Sequence, residues 1–147
     1  MARAEGGGYV LLVRLAQPWR AEVGRLGTVE VPAGGAVYCG SALRGLRARI
    51  CRHLRPEKTL RWHIDWLTTA SRPVGAIAIP SRINIECRLR RSLRRRGWRD
   101  GPPGFGASDC TCPTHLLLGG DNHGLEDILA GLPARWRERA RIIGTSG

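Results

Sequence analysis

The apolar segment GYVLLVRL, residues 8–15, constrains the fold more than any other part of this 147-residue chain. Its apolar, β-branched composition predicts a buried strand. Residues 21–31, AEVGRLGTVEV, alternate in polarity around two glycines and predict a hairpin, and residues 34–40, GGAVYCG, predict another short strand. The first part of the chain is therefore expected to form a small sheet.

The next part of the chain has the spacing of an amphipathic helix. Its apolar residues recur every three or four positions, at Leu43, Leu46, Ile50 and Leu54. Ser41 is a good N-cap and Pro56 follows the apolar stripe closely, so we predict a helix between them. Residues 84–98, NIECRLRRSLRRRGW, predict a second helix that Gly97 ends.

Residues 59–70, TLRWHIDWLTTA, fit both the alternation of a strand and the spacing of a helix. Thr59 as a cap favours the helix, in which Trp62 is expected to pack. Residues 73–80, PVGAIAIP, predict a strand, and two short helices are expected around Gly131 and Pro133.

This order of elements predicts an α+β fold in which a small, partly antiparallel sheet is flanked by helices. We assign residues 1–118 to one domain, with a β-hairpin insertion at 17–33 and a loop-rich Cys/His part at 104–118. Residues 119–147 are expected to form a C-terminal helical extension.

The positive charge of the chain is concentrated in its middle. The net charge is +12, and residues 41–99 hold 16 basic side chains against three acidic ones. This excess favours a polyanionic partner such as nucleic acid, and it predicts one phosphate-facing side of the fold. A run of charge alone is equally typical of a solvated surface.

The sequence predicts a cytoplasmic protein without a membrane partner. It shows no apolar segment of signal-peptide length near its start and no run that approaches a membrane span. The five cysteines are an odd number, and in a reducing compartment a disulfide framework is not expected.

The cysteine-rich end offers candidate metal ligands. Cys110, Cys112 and His115 fall within six positions, and Cys87 lies upstream in the second predicted helix. Three thiolates and an imidazole could close a tetrahedral structural zinc site. The alternative is a set of small buried cysteines beside a hydrogen-bonded histidine. Ser108 and Asp109 are expected to cap or line a cleft nearby.

Three polar residues lie at the edges of the predicted helices. Arg49 and His53 are one turn apart on a single flank, and Glu86 lies beside Ile85 at the start of the later helix. A phosphodiester nuclease needs a carboxylate for a divalent cation, a guanidinium for the phosphate charge, and a group that positions water. The alternatives are a solvated flank and a helix ion pair between Glu86 and Arg90.

Four segments in chain order, GGYVLLV, VYCGSA, RICRH and IEC, resemble the GIY-YIG nuclease superfamily. Further segments, WHIDWL, IECRL and GFGASDCTCPTHL, resemble an uncharacterised prokaryotic branch of it, some members of which are fused to a DNA glycosylase of the endonuclease-three type. The chain departs from the superfamily pattern in two ways: Gly7 or Gly8 replaces the first isoleucine, and 29 residues separate the two motif tyrosines.

The resemblance implies hydrolysis with one metal ion. Glu86 would hold Mg²⁺ or Mn²⁺ and Arg49 would stabilise the transition state. Tyr9 or Tyr38 would activate or position water, with nearby positive charge lowering the phenol pKa, and His53 would bind phosphate or carry a proton. The arginines expected to contact nucleic acid are Arg44, Arg47, Arg52, Arg90 and Arg94.

The sequence therefore predicts a divalent-metal-dependent DNA endonuclease of the GIY-YIG type that acts in DNA repair. The alternative is a non-catalytic DNA-binding module of the same fold that recruits a repair partner such as a glycosylase. RNA as the substrate stays open, because phosphate chemistry is alike on both nucleic acids.

Overall fold

The computed structural model of the protein describes residues 5–108, 110–119 and 124–144. Within these ranges the fold is α+β, as predicted, with a six-stranded sheet, a two-stranded hairpin sheet and flanking helices. The strands are β1 (Gly7–Leu15), β2 (Trp19–Glu22), β3 (Thr28–Val31), β4 (Gly34–Ala42), β5 (Arg72–Pro80), β6 (Arg99–Asp100), β7 (Leu116–Gly119) and β8 (Arg141–Gly144). The α-helices are α1 (Leu46–Leu54), α2 (His63–Ala70), α3 (Glu86–Arg95), α4 (Leu125–Ala130) and α5 (Ala134–Arg137).

The large sheet has the strand order β6-β7-β4-β1-β5-β8, with β1 between β4 and β5. Every pairing among the described strands is antiparallel, whereas the sequence predicted a partly antiparallel sheet. Strands β2 and β3 pair only with each other and form the predicted hairpin. No helix in the described ranges is long and apolar enough to cross a membrane.

Alternation along β1 creates two cores. Leu11 and Val13 face a core that includes residues of α1, α2 and the hairpin, while Val10 and Leu12 face a core built with α3, α4 and α5. Because successive side chains of a strand point to opposite faces, α1 and α3 cover opposite sides of the sheet. The arginines of α1 and of α3 therefore belong to helices on opposite sides of the sheet, and a single phosphate-facing side stays a prediction.

The predicted start of the first helix is also wrong. Ser41 lies in the β1–β4 ladder opposite Gly8, so β4 continues through Ala42, and α1 begins only at Leu46. Gly45, with φ at 65°, makes the turn in the left-handed region that glycine tolerates. Leu43, predicted as part of the apolar stripe, is 91% exposed.

The ambiguous segment at 59–70 is helical, but the helix begins at His63, three residues later than a cap at Thr59 implies. The Asp65 carboxylate accepts hydrogen bonds from the backbone N–H groups of Arg61 and Trp62, at 2.8 and 2.9 Å, and this caps α2. An acidic group at the first turn also interacts favourably with the helix dipole.

The C-terminal part is not purely helical. Helices α4 and α5 match the two short helices expected around Gly131 and Pro133, but residues 141–144 form β8, which pairs with β5 at the sheet edge. The sequence RII lies at the end of an arginine-rich segment and gave too short a pattern to predict this strand.

Gly8 sets the distance between the sheet and α3. A Cβ at this position would lie 2.6 Å from Ile85 Cγ1 and 2.9 Å from Leu89 Cδ1. Both of these side chains are buried, so neither can move aside without disturbing the core. The missing side chain thus allows α3, and Glu86 at its start, to approach β1.

We expect Gly8→Ala to lower the free energy of unfolding by about 1–3 kcal/mol, because overpacking displaces α3. Urea denaturation measures the change. Gly144→Ala is the matched control, since nothing lies within 4 Å of a Cβ there, and it should change stability by less than about 0.5 kcal/mol. Equal stability of the two variants would contradict the close packing of α3.

Candidate active site

The five residues predicted as a catalytic set line one cleft. Its volume is about 340 Å³, and it lies where the ends of β1 and β4 meet α1 and the start of α3. The predicted residues that line it are Tyr9, Tyr38, Arg49, His53 and Glu86. Helices α1 and α3 cover opposite faces of the sheet, so Arg49 and Glu86 can meet only at the ends of the strands.

Ser41, which the sequence suggested only as a helix cap, joins Arg49 and Glu86. Its Oγ donates a hydrogen bond to Glu86 Oε2 at 2.8 Å, and its backbone oxygen accepts one from Arg49 Nη1 at 3.1 Å. Asn84 is a second residue that sequence reasoning missed. Its Oδ1 accepts the backbone N–H of Glu86 at 3.0 Å, and its Nδ2 lies 3.5 Å from Glu86 Oε1. Both oxygens of the carboxylate are thus oriented.

Tyr9 and His53 form a buried pair. The Tyr9 hydroxyl lies 2.7 Å from His53 Nε2, and the two side chains are 2% and 1% exposed. The Tyr9 ring lies across Gly40, where any Cβ would collide with the phenol, so the glycine is needed for this placement. The Tyr38 ring is close to both, with centroids 6.3 Å from Tyr9 and 6.4 Å from His53.

Burial keeps both tyrosines in the protonated phenol form. It is the largest cause that raises the pKa of Tyr9 well above its usual value, and the neighbouring Tyr38 raises it further. Burial and the Glu86 carboxylate likewise raise the pKa of Tyr38. Arg49 lowers both pKa values but is outweighed. The sequence predicted that nearby positive charge lowers the phenol pKa. The charges of the protein alone do not produce this lowering.

His53 is neutral at physiological pH. Burial lowers the pKa of its imidazole to about 3, and this outweighs the attraction of Asp65, which raises it. A phenol that donates to Nε2 leaves the ring proton on Nδ1. That nitrogen faces Asp65 Oδ1 at 4.0 Å and has no hydrogen-bond partner among the described residues.

Asp65 is a buried carboxylate that the sequence analysis did not assign to the site. Burial alone would raise the pKa of Asp65, but hydrogen bonds from Arg52 and from the backbone of Trp62 and Arg61 together lower it. Arg52 binds the carboxylate through two nitrogens, at 2.8 and 3.0 Å. The Asp65 carboxylate thus places a negative charge beside His53, and the positive charge of Arg52 partly offsets it.

Trp62 orients the guanidinium of Arg49. The Cζ atoms of Arg49 and Arg52 lie 4.4 and 4.5 Å from the centroid of the indole ring, within the range of cation–π attraction. The half-buried Trp62 also packs against His53 edge-on, with centroids 6.0 Å apart. The sequence predicted that Trp62 packs, and in the structure it also lines the cleft.

Of the arginines predicted to bind nucleic acid, Arg44 and Arg47 are exposed. Arg52 and Arg90 each have intramolecular partners for the guanidinium group, and their contact with nucleic acid stays a prediction. Arg52 is paired with Asp65, and Arg90 is 8% exposed and bonded to Asp100 and to the Thr114 carbonyl. Arg94 is exposed but shares Asp100 and donates to the Trp98 carbonyl.

A second cluster, the Cys/His cluster, consists of Cys87, Cys110, Cys112 and His115. Their ligand atoms all lie within 4.8 Å of one another, so the cluster could bind a metal ion. His115 Nε2 is 3.2 Å from the Cys110 sulfur and 3.6 Å from the Cys87 sulfur. Burial, followed by hydrogen bonds with Cys112 and Cys110, raises the pKa of Cys87 to about 12. A cation that binds here must therefore displace a proton.

The loop that carries most of this cluster also forms a wall of the cleft. Phe105 packs edge-on against Tyr38, with centroids 6.2 Å apart, and the Gly106 N–H donates to His63 Nδ1 at 2.9 Å. Ser108 lines the cleft as expected, whereas Asp109 lies outside the described residues. The cluster thus adjoins the cleft through this loop and through Cys87, which follows Glu86.

Comparison with known families gives one match. The family described as "Domain of unknown function DUF123" matches residues 8–135. The chain belongs to this family. Every residue of the cleft and of the Cys/His cluster named above falls inside the region that matches DUF123. No curated protein and no solved structure matches the chain.

The low pKa of His53 predicts how the stability of this DUF123 domain depends on pH. The unfolded histidine, with a pKa of 6.5, binds a proton before the folded one does, so stability is lost as pH falls below 6.5. Between pH 7 and pH 5, protonation of His53 in the unfolded state should lower the free energy of unfolding of the wild type by about 2 kcal/mol. His53→Gln should lack this contribution.

Denaturant unfolding of both proteins at the two pH values isolates the contribution of His53, because the other groups titrate alike in each. The imidazole resonances of His53 should not shift between pH 8 and pH 5 in an NMR titration. A midpoint near 6.5 would show that this histidine is accessible to protons and would contradict the buried pair.

Proposed function

We propose that the protein is a divalent-metal-dependent endonuclease that hydrolyses phosphodiester bonds in DNA, with a site of the GIY-YIG type. One observation carries this proposal. Four separate elements, β1, β4, α1 and α3, bring a carboxylate, a guanidinium, two phenols and an imidazole to a single cleft. These are the groups that phosphodiester hydrolysis needs.

The cleft residues fit a hard cation. Among the described residues, Glu86 is the one carboxylate that lines the cleft, and the Ser41 hydroxyl and the Asn84 side chain lie beside it. Mg²⁺ prefers oxygen ligands and often binds one carboxylate together with substrate phosphate and water. When bound to Glu86, Mg²⁺ or Mn²⁺ would supply electrostatic stabilisation of the phosphate charge in the transition state.

Arg49 binds the phosphate in this proposal. A guanidinium presents a planar fork that matches two phosphate oxygens. The Ser41 carbonyl and the Trp62 ring fix the direction of this fork, so little orientational freedom is lost when substrate binds.

Tyr9 and His53 supply the proton path. The attacking water gives a proton to the Tyr9 oxygen, while the phenol proton moves to Nε2 of neutral His53 across the 2.7 Å contact. The products of this step are a hydroxide that attacks phosphorus and a protonated imidazole, which the Asp65 carboxylate attracts at 4.0 Å and which Lys58, Arg49 and Arg52 repel. Tyr38 orients the water from the other side of the cleft.

The second candidate is a non-catalytic DNA-binding module that recruits a repair partner, such as the glycosylase that the resemblance implies. The raised pKa of both tyrosines favours it, because a phenol that stays protonated cannot serve as the general base. The complete set of converging groups favours the endonuclease. Action in DNA repair follows from the same resemblance and is part of our proposal.

Glu86→Ala should reduce cleavage of DNA by more than about 100-fold in the presence of Mg²⁺ or Mn²⁺, because the metal ligand is lost. The assay uses linear, nicked and branched DNA and RNA of matched sequence. Glu126→Ala, at an exposed glutamate on α4, is the control and should cleave like the wild type.

Equal activity of wild type and Glu86→Ala, or wild-type activity without a divalent cation, would refute the proposed chemistry. Salt-sensitive DNA binding that Glu86→Ala does not change, with no cleavage of any substrate, would instead support the non-catalytic module. Cleavage confined to RNA would correct the substrate class.

We also propose that the Cys/His cluster holds a structural Zn²⁺. Three sulfurs and one imidazole nitrogen form a closed ligand set. The separations of His115 Nε2 from the Cys110 and Cys87 sulfurs, 3.2 and 3.6 Å, suit ligands about 2.0–2.3 Å from a central zinc. Such a centre would tie α3, through Cys87, to the loop whose Phe105 supports Tyr38. Its role would be to hold the wall of the cleft.

Purified protein should contain about one equivalent of zinc, and a chelator should lower its melting temperature. Cys112→Ala should lose the metal, whereas Cys51→Ala, at an exposed cysteine outside the cluster, should retain it. Less than about half an equivalent of zinc in the wild type, together with a melting temperature that chelator does not change, would refute the proposal.

A further inference from the structure

A wide groove adjoins the cleft at the open end of the sheet. Its volume is about 860 Å³, and it lies across the start of β1 and the ends of β4 and β5. Ser41 and Asn84 line both the groove and the cleft. These two residues contact Glu86, so the groove begins where the scissile phosphate would lie.

Two apolar side chains project at the walls of this groove. Leu43, after β4, is 91% exposed, and Ile83, between β5 and α3, is 55% exposed. Scattered exposed apolar residues are ordinary on protein surfaces, but these two line the same groove beside the candidate site. Neither has a place in the catalytic chemistry proposed above.

Both side chains are held on fixed turns. The Leu46 N–H, beyond the turn that presents Leu43, donates to the Glu5 carbonyl at 2.8 Å, and Gly6 packs so closely on the Leu43 carbonyl that no Cβ would fit. The Ser81 hydroxyl donates to the Ile83 carbonyl at 2.8 Å. These hydrogen bonds fix the backbone of the turns from which Leu43 and Ile83 project.

The charges along the groove complement a nucleic acid. Arg82 and Arg139 line it, with Glu5 as the acidic residue among its lining side chains. The exposed Arg44 follows Leu43 directly. Positive groups that meet phosphates, combined with apolar side chains that contact bases, are the combination by which proteins hold separated or kinked strands.

We propose that this groove receives the DNA strand that continues from the cleft, and that Leu43 and Ile83 contact a base unstacked from the duplex. The inference rests on the proposed function and names its substrate class: DNA whose strands separate beside the cut phosphate, as at a nick, a flap or a branch. Contact with an apolar side chain replaces the stacking that such a base has lost.

The test measures binding without cleavage. In a Glu86→Ala background, fluorescence anisotropy compares a flap substrate with an intact duplex of the same sequence. We expect the flap to bind about tenfold more tightly, the equivalent of one base contact. Leu43→Ala should reduce this preference to about twofold or less, and Ile83→Ala should reduce it in the same direction.

Ile142→Ala is the matched control, because it truncates an apolar side chain that is 40% exposed on the edge strand β8. It should keep the full preference. Melting temperatures should be equal for all these variants, since none of the side chains is buried. As a second measurement, 2-aminopurine placed beside the junction should brighten on binding, and less so with Leu43→Ala.

No preference for the flap in the parent protein, or the same preference after Leu43→Ala, would overturn the inference. Failure of the groove proposal can be distinguished from failure of the proposed endonuclease activity. Cleavage by the wild type without any flap preference would uphold the endonuclease and reject the groove. A flap preference that depends on Leu43, in a protein that cleaves nothing, would uphold the groove and reject the endonuclease.

Discussion

Strand β1 pairs along both edges and is buried on both faces, and the location of the cleft depends on this double burial. A strand that faces two cores must be covered by helices on two sides. Arg49 on α1 and Glu86 on α3 are consequently separated by the sheet everywhere except at the ends of its strands. The sheet thus confines any chemistry that uses both residues to that end of the molecule.

Close backbone approaches make this arrangement possible. Gly8 lets α3 pack against β1, and Gly40 leaves space for the Tyr9 ring to cross β4. Ser41 can donate to Glu86 and accept from Arg49 because its strand runs between the two helices.

The parts of this fold that depend on local pattern were predictable, and those that depend on long-range competition were not. The apolar periods predicted β1, the hairpin, β5 and α3. Ser41 has the chemistry of a cap, but pairing of β4 with β1 continued past it and delayed α1 until Gly45 allowed the turn. Strand β8 forms by antiparallel pairing with β5, a long-range contact that the local sequence does not reveal.

The residues of the site can likewise be divided into those that local motifs predicted and those that depend on long-range contacts. The positions of Tyr9, Tyr38, Arg49, His53 and Glu86 in one cleft were expected from motif order, whereas Asp65 was not, because its burial depends on Arg52 from another helix. That pairing also engages the guanidinium of Arg52, which is only partly exposed. A count of arginines along the sequence therefore overstated the charge available to a polyanion.

The charges of the cleft indicate what must accompany a phosphate there. Tyr9, Tyr38 and His53 are all uncharged, so the charged side chains that line the cleft are Glu86, Arg49 and Arg61, with a net charge of +1. A phosphodiester brings one negative charge, and attack by hydroxide adds another. The sum is one uncompensated negative charge, which is costly in a partly buried site. A divalent cation on Glu86 would more than offset this charge, and it would also lower the pKa of the phenols that burial raises. Under the proposed function, the same burial that keeps the resting tyrosines protonated therefore makes their activation depend on the cation.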